Sequence, residues 1–546
     1  MKTNLTKTLI LAIVPIVMFI TIKNLKQING DYYLWQFDQP YSFLSNVLNN
    51  HLNISEGFEN RQGATIQVSG LPAVLFGLTV ANAFYIVEGK DTSLVNDGLK
   101  RPEVYLSFLN SLYLLLSCGA LCLLGWLVMT NRENIWESVF IQLSLFTSLN
   151  VMLVMVYVSL ESFQIIITLV LAALLCHYYF KSSSSSVLRF DKLGIGISIL
   201  IGTAIATKLN YFPLFFLPFF LFAGIKNKLY YSLIVVLVYF VFTIPLLLQN
   251  SGIFKWILKL FIHTGKYGQG EPNIVDTGMF ISNCKIIISS EEYFIFSIIL
   301  SLTSLLLFKL KSPQVISAKS LVAFKIVLGS SVSSLLNVFI VSKHHSAIYL
   351  IPSLILSNFS IYFSLQLFSE TIQLNLRQLH KLIFPFLIIA NTLYAASKYA
   401  DLDEIIFWNN KESVKTERFL EENYSKDLWI LAYSSSHPES AISYMTVYNS
   451  GTYKKILEGK LKNKIYFSPW TNSFRNLCNE AEATSIIRKH NKLIYLTRGE
   501  ESVIPLMDSL KHRYGIKTIE HEEVFRDSVN HFVYEIKYQI DSTKRQ

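Results

Sequence analysis

Between Leu9 and Ser397 the chain returns repeatedly to apolar runs near the roughly 20 residues an α-helix needs to cross a bilayer. No other feature restricts its fold so strongly. Inside hydrocarbon every backbone N–H and C=O must find a partner within the protein, which leaves helices as the natural form of such runs. Composition agrees, with 51% hydrophobic and only 16% charged residues and a mean hydropathy of +0.39. A soluble chain with so little charge would expose too much apolar surface to stay dissolved.

We read eleven crossings, at 8–22, 104–129, 136–158, 163–180, 193–207, 210–225, 229–248, 292–308, 320–341, 346–366 and 382–397. The first follows Lys2 and Lys7 and has no small-residue cleavage site after it, so it reads as a retained signal anchor. The connections 181–192, 226–228, 309–319 and 370–381 carry ten Lys or Arg against Asp191 and Glu370. By the positive-inside rule that side is cytoplasmic, and the basic N-terminus joins it. An even number of crossings must then precede Lys181. That holds if 71–87, apolar but short and led by proline, is a re-entrant or interfacial helix. The expected fold class is therefore a polytopic α-helical membrane domain over 1–398, followed by an extracytoplasmic α/β domain over 399–546. The expected location is the inner membrane of the cell.

The net charge of +10 does not imply nucleic acid. From Tyr399 onward there are 21 Lys+Arg and 21 Asp+Glu, so the whole excess belongs to the membrane part, where the topology rule accounts for it. Five cysteines, three within apolar runs and one in the tail, make no disulfide framework and have no metal-ligand spacing. In the tail, 428–433, 464–467, 493–496, 516–519 and 532–538 read as strands. Helical patterns lie between them at 439–449, 471–489 and 502–513, which argues a small α/β sheet with helices on both faces. It lacks a GxGxxG or P-loop.

On this topology the polar residues worth weighing collect on the outer face. Asp31 follows the first crossing in Asn29-Gly30-Asp31-Tyr32-Tyr33, where it suits a general base for an acceptor hydroxyl or an interfacial helix cap. Glu161 lies in a connection barely long enough to turn, and Lys208 ends a helix on the side opposite the charge bias. The loop His263-Thr264-Gly265-Lys266-Tyr267-Gly268-Gln269-Gly270 combines His263, Lys266 and Tyr267 with glycines that let backbone approach a ligand. Lys343, His344 and His345 precede a helix start, an arrangement suited to an anion. Adjacent histidines diverge by about 100° on a helix and poorly serve one metal. Acids to activate a hydroxyl, with cations to hold a phosphate leaving group, make a minimum kit for glycosyl transfer.

In this order the residues resemble the GT-C superfamily of glycosyltransferases, in particular the polyprenyl- or dolichyl-phosphate-mannose protein mannosyltransferases and the aminoarabinose transferase. The resemblance rests on Asp31 after the first crossing, Arg101 leading the next helix, and Glu161 opening the second outer loop. Thr207-Lys208 at a helix end, and Lys343 before Tyr349 and Pro352, complete it. It covers residues 5–400 or so, and departs from the family in having one acid rather than a pair after the first crossing. It implies an inverting transfer from a polyprenyl-phosphate-linked sugar to an extracytoplasmic acceptor, which could be a glycan, a lipid or a protein. Asp31 and Glu161 would be catalytic. Lys208, His263, Lys266, Tyr267, Lys343, His344, His345 and Arg101 would bind substrate or phosphate. No cofactor is required by this reading, and a divalent metal is left open. Membrane lipids are the other expected partners. A transporter or lipid carrier, or a non-catalytic component of an envelope assembly, fits the apolar pattern without requiring the acids to react.

Overall fold

The computed structural model describes residues 2–28, 30, 32–33, 39–52, 70–89, 93–182, 190–247, 258–259, 262–263, 271–273, 275–311, 317–343, 346–372, 376–432, 456–457, 462–468, 473–475, 480–498, 503–514 and 516–540. Helices dominate the first 400 residues, and a six-stranded sheet forms the tail. The chain divides into two compact units. The first comprises Met1–Lys23, Thr65–Ala73 and Ser111–Leu402; the second comprises Asn24–Ala64, Val74–Asn110 and Asp403–Gln546.

Among the described residues nine helices are long and apolar enough to cross a membrane, or ten if one bent pair counts as a span. Eleven were expected, and the difference has local causes. The expected crossing at 136–158 is broken: Ile135–Phe146 and Leu149–Val156 meet at 71°. Ser148 caps the second piece, its hydroxyl accepting from Asn150 N at 3.1 Å. Glu291 reaches the break from more than 140 residues away, accepting from the Ser148 hydroxyl at 3.2 Å and the Asn150 amide at 2.7 Å. Burial pushes the Glu291 carboxyl above the usual range. The expected crossings at 193–207 and 210–225 become the shorter apolar pieces Lys192–Thr207 and Leu209–Phe219. Leu71–Glu88, expected to be re-entrant or interfacial, is a helix of 18 residues, long and apolar enough to span.

Close backbone approach holds the first unit together. A Cβ added at Gly329 would collide with the carbonyl of Leu217, and one at Gly202 would lie 2.8 Å from the carbonyl oxygen of Val235. Small residues at such crossings are how helices associate where no water remains to drive them together. One charged group inside this unit is also provided for. The carboxylate of Glu137, 3% exposed, accepts from Tyr362 at 3.1 Å and Asn134 at 3.0 Å, bonds His380 Nδ1 at 2.9 Å, and pairs with Arg132 at 3.7 Å.

The helix Leu376–Tyr424 runs past residue 399, and its residues from Asp403 onward belong to the second unit with the tail. The sheet order is β3-β2-β1-β4-β6-β5, with β1 Trp429–Ala432, β2 Lys464–Ser468, β3 Ser473–Arg475, β4 Lys492–Arg498, β5 Ile516–Arg526 and β6 His531–Ile540. β2, β1 and β4 are parallel, and the flanking strands antiparallel. Alternate β1 residues face opposite ways, as strand geometry requires. Ile430 and Ala432 pack with Ala483 and Ile487 of the Glu480–Lys489 helix and with Leu506 and Leu510 of Val503–Tyr514. Trp429 and Leu431 pack with Leu420 at the end of the long helix. β3 occupies part of the stretch 471–489 that was expected to be helical, and the expected helix 439–449 lies outside the described residues.

Candidate functional site

Glu161 and Lys208, 47 residues apart, meet in the first unit. Lys208 Nζ donates to Glu161 Oε1 in an ion pair whose side chains are 17% and 3% exposed. Local structure fixes both ends. Glu161 lies in the first turn of Leu160–Lys181, where the helix dipole favours an acid. The turn before it is pinned by Ser162, whose hydroxyl accepts from Ser159 N at 3.1 Å and donates to the Tyr157 carbonyl, also at 3.1 Å. Lys208 terminates Lys192–Thr207 in extended backbone, its N–H still bonded to Ala204 O at 3.1 Å.

A third element closes over the pair. The Tyr349 ring, on the turn Ala347–Leu350, lies 4.7 Å from the Lys208 ammonium. Asn210 ties these pieces together, donating to Tyr349 O at 3.1 Å and accepting from Gln164 at 2.9 Å. Gly70 adds a fourth strand of chain. Its N–H bonds Ala206 O at 2.8 Å, and a Cβ there would sit 3.1 Å from the Leu160 side chain. With φ at +128° this position favours glycine on conformational grounds as well. The result is a part-buried cation, held by a carboxylate and an aromatic face. An ammonium has three donor hydrogens, and the bond to Glu161 uses one.

Arg101 belongs to the second unit and has other partners. It grips Asp97 through two bonds, Nε to Oδ1 at 2.9 Å and Nη2 to Oδ2 at 2.5 Å, and Glu88 stands 3.6 Å away. Tyr105 donates to the same Asp97 oxygen at 2.8 Å. The bond to Asp97 raises the guanidinium pKa above its ordinary value. This fork-to-fork geometry is what arginine offers a carboxylate or a phosphate alike. Here a carboxylate occupies it.

Lys343, half-buried, is the last residue of Ala318–Lys343. The neighbouring Ser342 carbonyl accepts from Asn283 at 2.9 Å, and the Ser342 hydroxyl takes the Cys284 thiol at 3.1 Å, so the helix Thr277–Ser290 holds this end in place. His263 is half-buried, with its N–H bonded to Lys259 O at 2.9 Å. Asp31, Lys266, Tyr267, His344 and His345 lie outside the described residues. Among the described residues no three His, Cys, Asp or Glu side chains converge as a metal site would require.

Asn210, Gln164 and Asp97 join these clusters without having stood out in the sequence. Asp97 had a signal: it stands four residues before Arg101, the spacing of a helical ion pair. Asn210 and Gln164 had none, because only the tertiary fold brings them together.

Neither protein-family models nor curated sequences match this chain. Solved structures do. The crystal structure of ArnT from Cupriavidus metallidurans bound to undecaprenyl phosphate aligns over 96% of this chain and 97% of that one, with a TM-score of 0.51 and 10% identity. The fold is that of ArnT. The apo crystal structure of ArnT aligns over 98% of each chain, at a TM-score of 0.52 and 10% identity. Agreement with ArnT takes in the tail as well as the helices, and it accords with the GT-C resemblance read from the sequence.

Proposed function

We propose that this protein is a membrane glycosyltransferase that moves a sugar from a polyprenyl-phosphate-linked donor to an extracytoplasmic acceptor hydroxyl, with inversion. The observation that carries the reading is the part-buried Glu161–Lys208 pair beside Tyr349, in a fold whose relative ArnT was crystallised with undecaprenyl phosphate. The acceptor hydroxyl loses its proton to a carboxylate as its oxygen forms a bond to the anomeric carbon. The anomeric carbon–phosphate oxygen bond breaks on the opposite face, and its electron pair leaves with polyprenyl phosphate. Phosphate at neutral pH needs charge stabilisation rather than a proton, so an ammonium suffices on the leaving side.

Glu161 already holds Lys208 in the structure, so we assign it the role of directing that ammonium toward the phosphate and give the general-base role to Asp31. Lys343, His263, Lys266, Tyr267, His344 and His345 are assigned to the same anion. Arg101, with Asp97 and Glu88 around it, joins them only by exchanging a carboxylate for a phosphate. We propose, from the charge bias of the connections, that the N-terminus is cytoplasmic and residues 399–546 extracytoplasmic.

Binding of polyprenyl phosphate to the purified protein separates these roles. Lys208→Met should weaken binding by at least about tenfold, a charge-assisted contact's worth, and Asp31→Asn should leave it unchanged. Binding indifferent to Lys208 would overturn the assignment.

A further inference from the structure

Lys26 stands in the last turn of the first helix, Lys2–Ile28, and is 8% exposed. Its ammonium donates to the carbonyl oxygen of Gly30 and, at 3.0 Å, to that of Tyr32. It also lies 4.1 Å from the centroid of the Tyr33 ring. Those two carbonyls belong to the residues immediately before and after Asp31 in the chain.

Two further ties hold the same stretch. Tyr33 N–H donates to the Tyr41 hydroxyl at 3.5 Å, and that hydroxyl donates to Glu103 at 2.9 Å. The Tyr32 hydroxyl donates to Glu417 of the long helix at 3.2 Å. Tyr33 and Tyr41 are both buried. All of these residues lie in the second compact unit.

An ordinary lysine at a helix end bonds the helix's own last carbonyls, or lays its stem on apolar surface and keeps its head in water. Lys26 does neither. Its head is buried, reaches past the end of the helix, and bridges two carbonyls separated by a single residue. Burying an ammonium is costly unless its donors are satisfied, and here the bonds that satisfy them fix the backbone on both sides of one aspartate.

We propose that Lys26 is the positioning residue for Asp31, acting through the carbonyls of Gly30 and Tyr32 that it ties on either side of that residue. This rests on the reading of Asp31 as general base. Base catalysis needs the carboxylate within hydrogen-bond reach of the proton it takes, and a displacement of about 1 Å costs on the order of a hundredfold in rate. A donor-binding role would act on affinity; a positioning role acts on turnover.

The test is steady-state kinetics of the full-length protein in detergent or liposomes with a polyprenyl-phosphate sugar. Lys26→Met keeps the length of the stem and removes the donors. It should lower kcat roughly 10–100-fold, within the range expected of a misplaced base, with donor KM unchanged and the thermal midpoint near that of the parent. Lys26→Arg, which restores donors for both carbonyls, should recover kcat to within about threefold of the parent. A kcat for Lys26→Met within about twofold of the parent, while Asp31→Asn is inactive, overturns the role of Lys26 and leaves the base reading intact. Parallel loss of kcat, donor affinity and thermal stability, not rescued by arginine, reports a purely structural lysine and overturns it too. Activity retained by Asp31→Asn overturns the base reading, and with it the role given to Lys26.

Discussion

Removing Lys208 tests the physical core of the site. In Lys208→Met the stem is preserved and the ammonium lost, leaving the Glu161 carboxylate 3% exposed with no counter-charge. Breaking a buried pair from one side typically costs ~3–5 kcal/mol, because the remaining charge stays desolvated. Glu161→Gln should cost less. Lys208 keeps the Tyr349 ring 4.7 Å away and is itself 17% exposed, so its head can turn toward water. The double variant Lys208→Met/Glu161→Gln removes both charges and should recover most of the loss, giving a coupling of at least ~1.5 kcal/mol. Thermal unfolding in detergent, read by intrinsic fluorescence and run on all four proteins of the cycle, measures this directly. The expected order of midpoints is parent, then double variant, then Lys208→Met lowest. Additive effects, with coupling below about 0.5 kcal/mol, would refute the view that these groups are a part-buried, coupled pair.

Gly329→Ala places a methyl against the Leu217 backbone, which cannot yield as a side chain would, so a loss of ~1–3 kcal/mol is expected. The yield of monodisperse protein after mild heating checks it, with Gly119→Ala, where a Cβ meets nothing within 4 Å, as the silent control. In the tail, burial would raise the Asp527 carboxyl, but the bond and charge of His531 outweigh that and hold its pKa below the usual value. A depressed carboxylate contributes stability that is present above its unfolded pKa of about 3.9 and is lost as pH falls through the folded value. Asp527→Asn should therefore destabilise the tail at neutral pH, and the gap to the parent should close on acidification below about pH 4. A gap that widens in acid would contradict the assignment.

The membrane part was legible because hydrocarbon thickness imposes a length on every crossing, and that length is visible in one sequence. The broken crossing at 136–158 was not. Its apolar content is nearly continuous, and the groups that stabilise the break include Glu291, far away in the chain. The sheet strands showed as short apolar runs, whereas β3 depends on pairing with β2 and has little pattern of its own. At the site, Glu161 and Lys208 stood out singly as charges in tight outer positions. That they neutralise each other is a fact of tertiary structure. Lys26 was passed over because a lysine at a helix end is ordinarily a solvated one, and only its burial and its two carbonyl partners set it apart.

Sugar transfer from a polyprenyl-phosphate donor can be read in a reconstituted system. Purified protein in liposomes, supplied with a radiolabelled donor and an envelope extract as acceptor source, should release free polyprenyl phosphate and move the label out of the lipid fraction. Asp31→Asn should do neither while still binding polyprenyl phosphate. Donor that survives intact with the parent protein, or that is consumed equally by Asp31→Asn, would contradict the account.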